Sequence, residues 1–325
     1  GGGARPPPHM LPMSSGGAGA DLEDGAGDAG PAAPDDLLQL GDFSYATLLR
    51  ALHLRHLRRE PYTWIGPVLV SVNPCTDLGS FAPAAARRYV GTRASAAPHP
   101  YAVVNRALQG GGRSAILVTG ESGAGKTEAV KAMLSFLVSR QGVCNTRVCD
   151  ALVGSTQALE AFGNARTVQN GNSSRFGKLA EVMVDTVTGQ VESAALAPYM
   201  LEASRVTHRA PGELNYHVFY ALRQALEVTV SADHEVAEPG VWCQPDMRRS
   251  WKALAECSLS AGLSDSPYLA PRHAAPADSA GPRHFDDIVG SMRVAGLHDG
   301  EIFAAMQVVA AVALLGHVSA PPPER

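Results

Sequence analysis

A glycine-rich stretch that ends in Lys and Thr is the part of this sequence whose residue types and spacing could most clearly do chemistry. It reads Gly120-Glu121-Ser122-Gly123-Ala124-Gly125-Lys126-Thr127 and matches the pattern GxxxxGK followed by Ser or Thr. Glycines at this spacing let the backbone curl, so that successive N–H groups face inward on an anion. Lys126 would bring a compact positive charge to the β- and γ-phosphates of a nucleotide, and Thr127 would offer a hydroxyl to Mg²⁺. The stretch therefore predicts a phosphate-binding loop.

The use of lysine in this chain favours that interpretation over the alternative, a glycine-rich turn that carries a Lys by chance. The chain has 27 cationic residues, of which only four are Lys and the other 23 are Arg. Since Arg is the ordinary cation here, a Lys at the one place that needs a compact ammonium is informative. The loop alone does not identify a reaction, because kinases, transporters, GTPases and motors share it.

A second polar stretch begins 43 residues after Thr127. It holds two Asn, two Ser, an Arg and a Lys within nine residues, and it reads Asn170-Gly171-Asn172-Ser173-Ser174-Arg175-Phe176-Gly177-Lys178. Its hydroxyls, amides and charges could surround a phosphate and Mg²⁺. By itself it could equally be a polar turn at the surface.

The elements around these two stretches must hold them in place. The short apolar run Ser114–Thr119 precedes the first stretch and predicts a strand buried on both faces. Glu128 to Arg140 has the apolar spacing of a helix. A hairpin is predicted from Leu179–Asp185 and Gln190–Leu196. The other predicted elements are a helix from Leu37 through Leu57, two short strands joined at Gly66-Pro67, helices at 83–90, 101–109, 148–161, 213–226 and 285–295, helix fragments and loops over 227–283, and a last helix with Ile302, Met306, Val309 and Ala313 on one face.

Taken together, the two stretches resemble the P-loop and switch I of the myosin motor domain. The loop GESGAGKT is the myosin form of the P-loop, and NxNSSRFGK is the switch I signature of that family. The resemblance covers about residues 36–325 and implies an α/β fold, a P-loop NTPase-type core with a mixed central sheet flanked by helices. The other segments that carry it, in the family's order, are Tyr62–Gly66 with Leu69–Pro74, Ala97–Ala102, Leu159–Thr167, Leu201–Val206, Asn215–Tyr220 and Val309–Val318.

The resemblance assigns residues to the phosphates and to Mg²⁺. Lys126 and the amides of the P-loop would hold the phosphates, while the hydroxyls of Thr127 and Ser174 would complete the Mg²⁺ sphere. Ser173 would lie near the attacking water. The residues that would surround the terminal phosphates are Asn170, Ser173 and Lys178.

Two further assignments concern the closing of the site and the base of the nucleotide. Arg175 would form an ion pair with a Glu of the family's switch II. Asn73 and Pro74 would line the adenine pocket together with Phe81, where the family usually has a Tyr. A Phe can pack on a purine but lacks the hydroxyl. The residues expected to be catalytic are then Lys126, Ser173, Ser174 and Arg175.

The same resemblance implies ATP and Mg²⁺ as cofactors, and ATP hydrolysis coupled to movement along actin filaments as the activity. Light chains or calmodulin would be further partners, and the location would be the cytoplasm, in a myosin complex of the actin cytoskeleton. The net charge of −4 argues against a polybasic nucleic-acid binder. Because the sequence has no run of 18 or more apolar residues, we predict no membrane span.

Several motifs of the family do not occur in this sequence. Among them are the DIxGFE-like segment of switch II, the main actin-binding elements, the converter and any IQ-type light-chain motif. The expected central sheet is therefore incomplete, which would leave the apolar run Ser114–Thr119 exposed at an edge. We expect the chain to be an N-terminal part of a motor domain, with weak nucleotide binding and negligible ATPase activity by itself.

Composition divides the chain into a tail and a body. Residues 1–34 are rich in Gly, Pro, Ala and Asp and are predicted to be disordered, whereas residues 35–325 are predicted to form the N-terminal part of the motor domain. One alternative for the body is another P-loop enzyme, such as a small-molecule kinase or a GTPase, although neither a guanine motif nor an arginine-rich lid is evident. The other is a non-catalytic, myosin-derived nucleotide-binding or scaffold protein, against which the full set of P-loop and switch I ligands argues.

Overall fold

A computed structural model of the chain describes residues 33–90, 97–139, 146–185, 187–231, 243–266, 268–269 and 282–316. The predicted disordered tail therefore lies almost wholly outside the described residues. Within them, helices alternate with short strands, which pair as three separate two-stranded antiparallel sheets. This mixture is compatible with an α/β class. The described strands do not join into one central sheet, so the mixed sheet of a P-loop NTPase core stays a prediction.

The elements of the described part agree with most of the predicted ones to within a few residues. Short 3-10 helices lie at Leu37–Gln39 and Leu263–Asp265. The strands are β1 (Tyr62–Ile65), β2 (Val68–Ser71), β3 (Asn164–Ala165), β4 (Ser173–Ser174), β5 (Gly177–Val184) and β6 (Val191–Tyr199). The helices are α1 (Tyr45–Leu57), α2 (Pro83–Tyr89), α3 (Pro100–Gln109), α4 (Lys126–Ser139), α5 (Thr146–Gly154), α6 (Thr156–Gly163), α7 (Ser204–Thr207), α8 (His217–Ser231), α9 (Arg248–Ser260), α10 (Pro282–Val294) and α11 (Asp299–Leu315).

Both predicted hairpins are confirmed. β1 and β2 pair antiparallel on either side of Gly66, whose φ of 58° is one that favours glycine. β5 and β6 also pair antiparallel, beginning with Gly177 opposite Tyr199. The first hairpin ends just before Asn73, and the second begins within the second polar stretch. Both hairpins therefore lie next to residues of the predicted site.

The segment before the P-loop differs from its prediction. Ser114–Thr119 forms no strand, and Ile116 and Leu117 are 41% and 88% exposed. A strand persists only where a neighbour completes its backbone hydrogen bonds, and none of the described residues supplies one here. The prediction of a strand buried on both faces is therefore wrong for this structure, and the exposed strand edge that was expected with it does not form.

The single helix predicted over 148–161 is divided into α5 and α6. Ser291 of α10 explains the division, because its hydroxyl donates to the carbonyl of Gly154 and accepts from the amide of Ala158 at 3.0 Å. In a continuous helix these two backbone groups would bond each other, and a side chain inserted between them interrupts the ladder. Gly154 permits the close approach of α10, since a Cβ there would lie 2.5 Å from Cγ1 of Val294.

Two apolar cores are present among the described residues, and the smaller of them lies between α3 and α4. Tyr101 of α3 stacks on Phe136 of α4, with ring centroids 4.3 Å apart. Because α4 begins at the P-loop, this core determines where the N-terminal end of that helix lies. The buried members of the core are Tyr101, Val104, Ala132, Met133 and Phe136.

The larger core joins α6, α8, α9, α10 and α11. Within the region 227–283, where helix fragments and loops were predicted, α9 is a continuous helix of 13 residues, and Trp251 on it is buried against Phe285 and Phe303. None of the helices in the described part is both long and apolar enough to cross a membrane. The apolar face predicted for the last helix is confirmed, because the buried residues of α11 include Ile302, Met306, Val309 and Ala313.

Candidate functional site

The predicted P-loop runs directly into the N-terminal end of α4, which begins at Lys126. Gly123 and Gly125 have φ values of 81° and 89°, in the left-handed region that side chains rarely adopt. The loop thus turns at the helix end, where free amides and the helix dipole favour an anion. The ammonium of Lys126 bends back and donates to the carbonyls of Gly120 and Glu121, both at 2.7 Å. Amides and one mobile positive charge are therefore gathered at a single helix end.

Segments that are far apart in the sequence meet at this loop. The side-chain amide of Asn73, just after β2, donates to the carbonyl of Gly123 at 2.7 Å. From the second polar stretch, Oγ of Ser173 lies 3.2 Å from Oγ of Ser122, and the side-chain amide of Asn170 donates to the same Oγ at 3.4 Å. The structure therefore brings the two stretches together through side chains that the sequence had assigned to one site.

For three other predicted ligands, Thr127, Ser174 and Lys178, the described part of the structure shows no side-chain contact that joins the P-loop to the second polar stretch. Thr127 lies in the first turn of α4, and the hydroxyl of Ser174 donates to a backbone carbonyl two residues further on, at 3.3 Å. Lys178, at the start of β5, lies near the ion pair of Lys131 with Glu160, whose atoms are 2.8 Å apart. Burial lowers the pKa of Lys178, Glu160 opposes this effect and Lys131 adds to it. Lys178 is thus a partly desolvated cation beside α4 and α6.

The residues predicted to line the adenine pocket lie in two places. Asn73 and Pro74 follow β2, where Asn73 contacts the P-loop. Phe81 belongs to an aromatic cluster, with its ring centroid 5.9 Å from His99 and 6.1 Å from Tyr101. Phe81 is 37% exposed, so part of its ring is accessible to a ligand.

Arg175 has a carboxylate partner within the described residues. Its Nε donates to Glu202, a residue that the sequence did not single out. Glu202 also accepts from Nε of Arg205 at 3.1 Å. Burial raises the pKa of Glu202, but the hydrogen bonds from the two arginines outweigh burial and hold that pKa below its usual range. Arg175 and Glu202 are 27 residues apart, and no spacing rule predicts such a pair. The pairing of Arg175 with a Glu of switch II stays a prediction.

The groups gathered at the loop fit a polyphosphate with Mg²⁺. Backbone amides, the end of α4 and the ammonium of Lys126 offer donors and positive charge to phosphate oxygens. Asn170 and Ser173 add neutral donors next to the loop. The hydroxyl of Thr127 is a hard oxygen ligand, of the kind that Mg²⁺ takes together with phosphate and water. The hydroxyl of Ser174 is of the same kind, but it donates to a backbone carbonyl two residues further on and is not among the groups gathered at the loop.

Comparison with known proteins finds similarity to one protein family over most of the sequence. The sequence matches the family model described as myosin head (motor domain) over residues 34–321. It is 33% identical over 292 residues to myosin ID heavy chain of Dictyostelium discoideum and 35% identical over 294 residues to unconventional myosin-Ia of Gallus gallus. It is also 35% identical over 252 residues to unconventional myosin-XV of Homo sapiens.

The matches cover most of this chain and a small part of each relative. The first two alignments span 87% and 88% of this chain but 24% and 26% of the relatives. The third spans 71% of this chain and 7% of the human protein. The chain thus spans about a quarter of the length of the relatives from Dictyostelium and Gallus.

Proposed function

The chain belongs to the myosin head (motor domain) family, and on that premise we propose that it is the nucleotide-binding part of an actin-based motor ATPase. Its P-loop and switch I stretch would bind Mg-ATP, and hydrolysis in the whole protein would be coupled to movement on actin filaments. The observation that carries the proposal is the contact between the two stretches, in which Ser122 lies 3.2 Å from Ser173 and 3.4 Å from Asn170.

The P-loop would bind and orient the phosphates. Lys126 would exchange the carbonyls of Gly120 and Glu121 for phosphate oxygens, which carry charge and accept more strongly. Bound Mg²⁺ would neutralise charge on the phosphates. In sites of this class the protein contributes mainly positioning and charge stabilisation, and the fixed amides at the start of α4 supply both.

The switch I stretch would act from the other side. Ser173 is 3% exposed, so its hydroxyl is kept from bulk solvent and held beside Ser122. A hydroxyl in that position could orient a water near the terminal phosphate, as the resemblance implies for Ser173. The ion pair of Arg175 with Glu202 would hold the end of the stretch against the chain that follows β6.

For the whole protein we propose actin filaments, with light chains or calmodulin, as partners in the cytoplasmic actin cytoskeleton. The support is membership of the family, since the relatives are named as myosins. The surfaces for these partners are proposed to lie mostly in segments that this sequence does not contain.

Titration of the 325-residue chain with a fluorescent ATP analogue and Mg²⁺ tests the nucleotide site. We expect weak, saturable binding that Lys126→Ala weakens at least about tenfold, because the substitution removes a charge-assisted bond to phosphate. Lys252→Ala is the matched control, since Lys252 lies on α9 and is 45% exposed beside Glu256. Absence of saturable binding, or an equal loss in both variants, would contradict the proposal.

A phosphate-release assay tests the expectation about catalysis. The chain by itself should show negligible ATP turnover, because the sequence has no switch II segment to complete the site. Turnover that rises on addition of actin filaments would overturn that expectation while leaving the nucleotide site intact.

A further inference from the structure

We propose that Asn164 and His217 are positioning residues of the nucleotide site, which act by holding Asn172 in the middle of the switch I stretch. Neither of them needs to touch the nucleotide, because both act through the loop that carries Asn170 and Ser173. The inference rests on the proposed function, because it assumes that the loop binds a nucleotide. The hydrogen bonds that hold the loop can nevertheless be tested without a nucleotide.

Asn172 is held through both its backbone and its side chain. Its backbone amide donates to Oδ1 of Asn170 at 2.9 Å. Its own Oδ1 accepts from Nδ2 of Asn164 at 2.9 Å and lies 3.2 Å from Nε2 of His217. Since Asn172 stands between Asn170 and Ser173 in the chain, these bonds fix the part of the loop that contacts Ser122.

The two groups that hold Asn172 are themselves buried and lie on regular elements. Asn164 is 2% exposed and begins β3, while His217 is 5% exposed and begins α8. Their chain neighbours Ala165 and Tyr216 form a backbone bridge, which joins β3 to the start of α8. An exposed loop is thereby anchored at one oxygen to two side chains that have little freedom to move.

The hydrogen bonds also determine which nitrogen of His217 carries the proton. An amide oxygen only accepts, so Oδ1 of Asn172 needs Nε2 of His217 as a donor. Burial lowers the pKa of His217 to about 4, and the nearby His284 contributes in the same direction. The imidazole is therefore neutral near pH 7, and two uncharged donors converge on one oxygen.

Loss of either donor would loosen the loop without removing any phosphate ligand. Loss of one neutral hydrogen bond should raise the opening of the loop about fivefold. Because Asn170 and Ser173 must meet the phosphates at defined distances, a small displacement of the loop would weaken binding and slow the chemistry of the whole motor.

Hydrogen exchange measured by mass spectrometry on the 325-residue chain tests the structural part. We compare His217→Leu, which removes the donor, with His217→Gln, whose amide can replace Nε2–H. In His217→Leu the backbone amides of 168–175 should exchange about fivefold faster than in the parent chain, while those of α11 stay unchanged. In His217→Gln the exchange of the loop should be close to that of the parent chain.

Two outcomes would overturn the proposal. One is unchanged exchange at 168–175 in His217→Leu, and the other is an equal rise in the loop and in α11, which would show that His217 acts on the fold alone. If His217→Leu does not fold, the same comparison can be made at Asn172, which is exposed. Asn172→Asp keeps the accepting oxygen, so the exchange of the loop should stay close to that of the parent chain. Asn172→Leu removes this oxygen, so the loop should exchange faster.

Titration of the same variants with the fluorescent ATP analogue connects the anchor to the site. His217→Leu should weaken binding at least about fivefold and His217→Gln should restore most of it. If the parent chain binds no nucleotide at all, the proposed function fails for this chain, while the exchange data still decide whether the loop is held through Asn172 and its donor His217.

Discussion

Arg205 is a buried guanidinium that links several parts of the chain next to the site. Its Nε donates to Glu202 at 3.1 Å, its Nη2 to Glu213 at 2.9 Å and its Nη1 to the carbonyl of Leu214 at 3.1 Å. The side chain is 4% exposed, so these acceptors replace water almost completely. Since Glu202 also pairs with Arg175, the position of a predicted catalytic residue depends on Arg205.

Replacement of Arg205 by Met should therefore destabilise the protein strongly. The change leaves the carboxylates of Glu202 and Glu213 without their shared partner, and breaking such a partly buried network costs about 3 kcal/mol. Urea unfolding followed by circular dichroism measures the loss. The control is Lys252→Met, because the exposed pair of Lys252 with Glu256 at 4.0 Å should contribute less than about 1 kcal/mol. Equal, small losses in the two variants would contradict the role of Arg205.

His99 is a buried histidine whose hydrogen bonds require the neutral ring. Its Nδ1 accepts from the amide of Tyr101 at 3.1 Å, so its Nε2 carries the proton and donates to the carbonyl of Ser80 at 3.1 Å. Burial lowers the pKa of His99 to about 4, although the bond to Ser80 acts in the opposite direction. In the unfolded chain, the imidazole of His99 takes up a second proton, and so becomes charged, near pH 6.5. Stability is therefore fully present above that pH and is lost as the pH falls towards 4.

Urea unfolding at pH 7 and pH 5 should show this dependence. From the shift in pKa, His99 should make the protein about 2 kcal/mol less stable at pH 5 than at pH 7, and His99→Gln should remove that share of the difference. The rest of the slope should remain, because burial lowers the pKa of His217 in the same way. As a control, Leu49→Gln changes an exposed residue of α1 that carries no titratable group and should keep the parent slope. An unchanged slope in His99→Gln would contradict the assignment.

At the scale of elements, the spacing of apolar residues predicted those helices and strands whose structure depends on their own segment of sequence. The apolar face of α11 and the two hairpins follow from the spacing of side chains within one segment, and they are confirmed. The division between α5 and α6 depends on Ser291, which is 137 residues from Gly154 and leaves no trace in the periodicity. Ser114–Thr119 has the composition of a buried strand, but a strand also needs a neighbour, which composition does not supply.

The packing of α11 can be tested with two residues that are close in sequence and differ in burial. Met306 is 0% exposed in the larger core, whereas Val308 is 63% exposed on the same helix. Met306→Ala should cost about 2–5 kcal/mol, from lost burial and the cavity that remains. Val308→Ala should change stability by less than about 0.5 kcal/mol. Similar losses in thermal or urea unfolding would show that α11 does not pack by this face.

At the scale of the whole molecule, the candidate site lies where two separately packed regions meet. The P-loop leads into α4 and is positioned by the smaller core around Tyr101 and Phe136. The predicted switch I stretch is held by β3 and α8, which belong with the larger core. The two motifs could be predicted because each is contiguous in sequence. The side chains that hold them, such as the buried His217 and the partly buried Glu202, could not, because their partners are set by tertiary packing.

This division makes a prediction about native-state hydrogen exchange. Opening of a protein proceeds in cooperative units, and a variant that weakens one core should accelerate exchange mainly in the elements of that core. Phe136→Ala removes a ring that is 1% exposed and should cost about 3–5 kcal/mol. Amides of α3, α4 and the P-loop should then exchange faster, while those of α8 and α11 keep the rates of the parent chain.

Met306→Ala gives the reciprocal case, with faster exchange in α8, α10 and α11 and little change in α3 and α4, because Met306 belongs to the larger core. Val308→Ala controls for the loss of a side chain at the surface. If Phe136→Ala and Met306→Ala accelerate exchange to the same extent everywhere, the chain opens as one unit. The position of the P-loop relative to switch I would then be set by the whole fold. The contacts at Ser122 would be lost only when the whole chain unfolds, because neither core would open separately from the other.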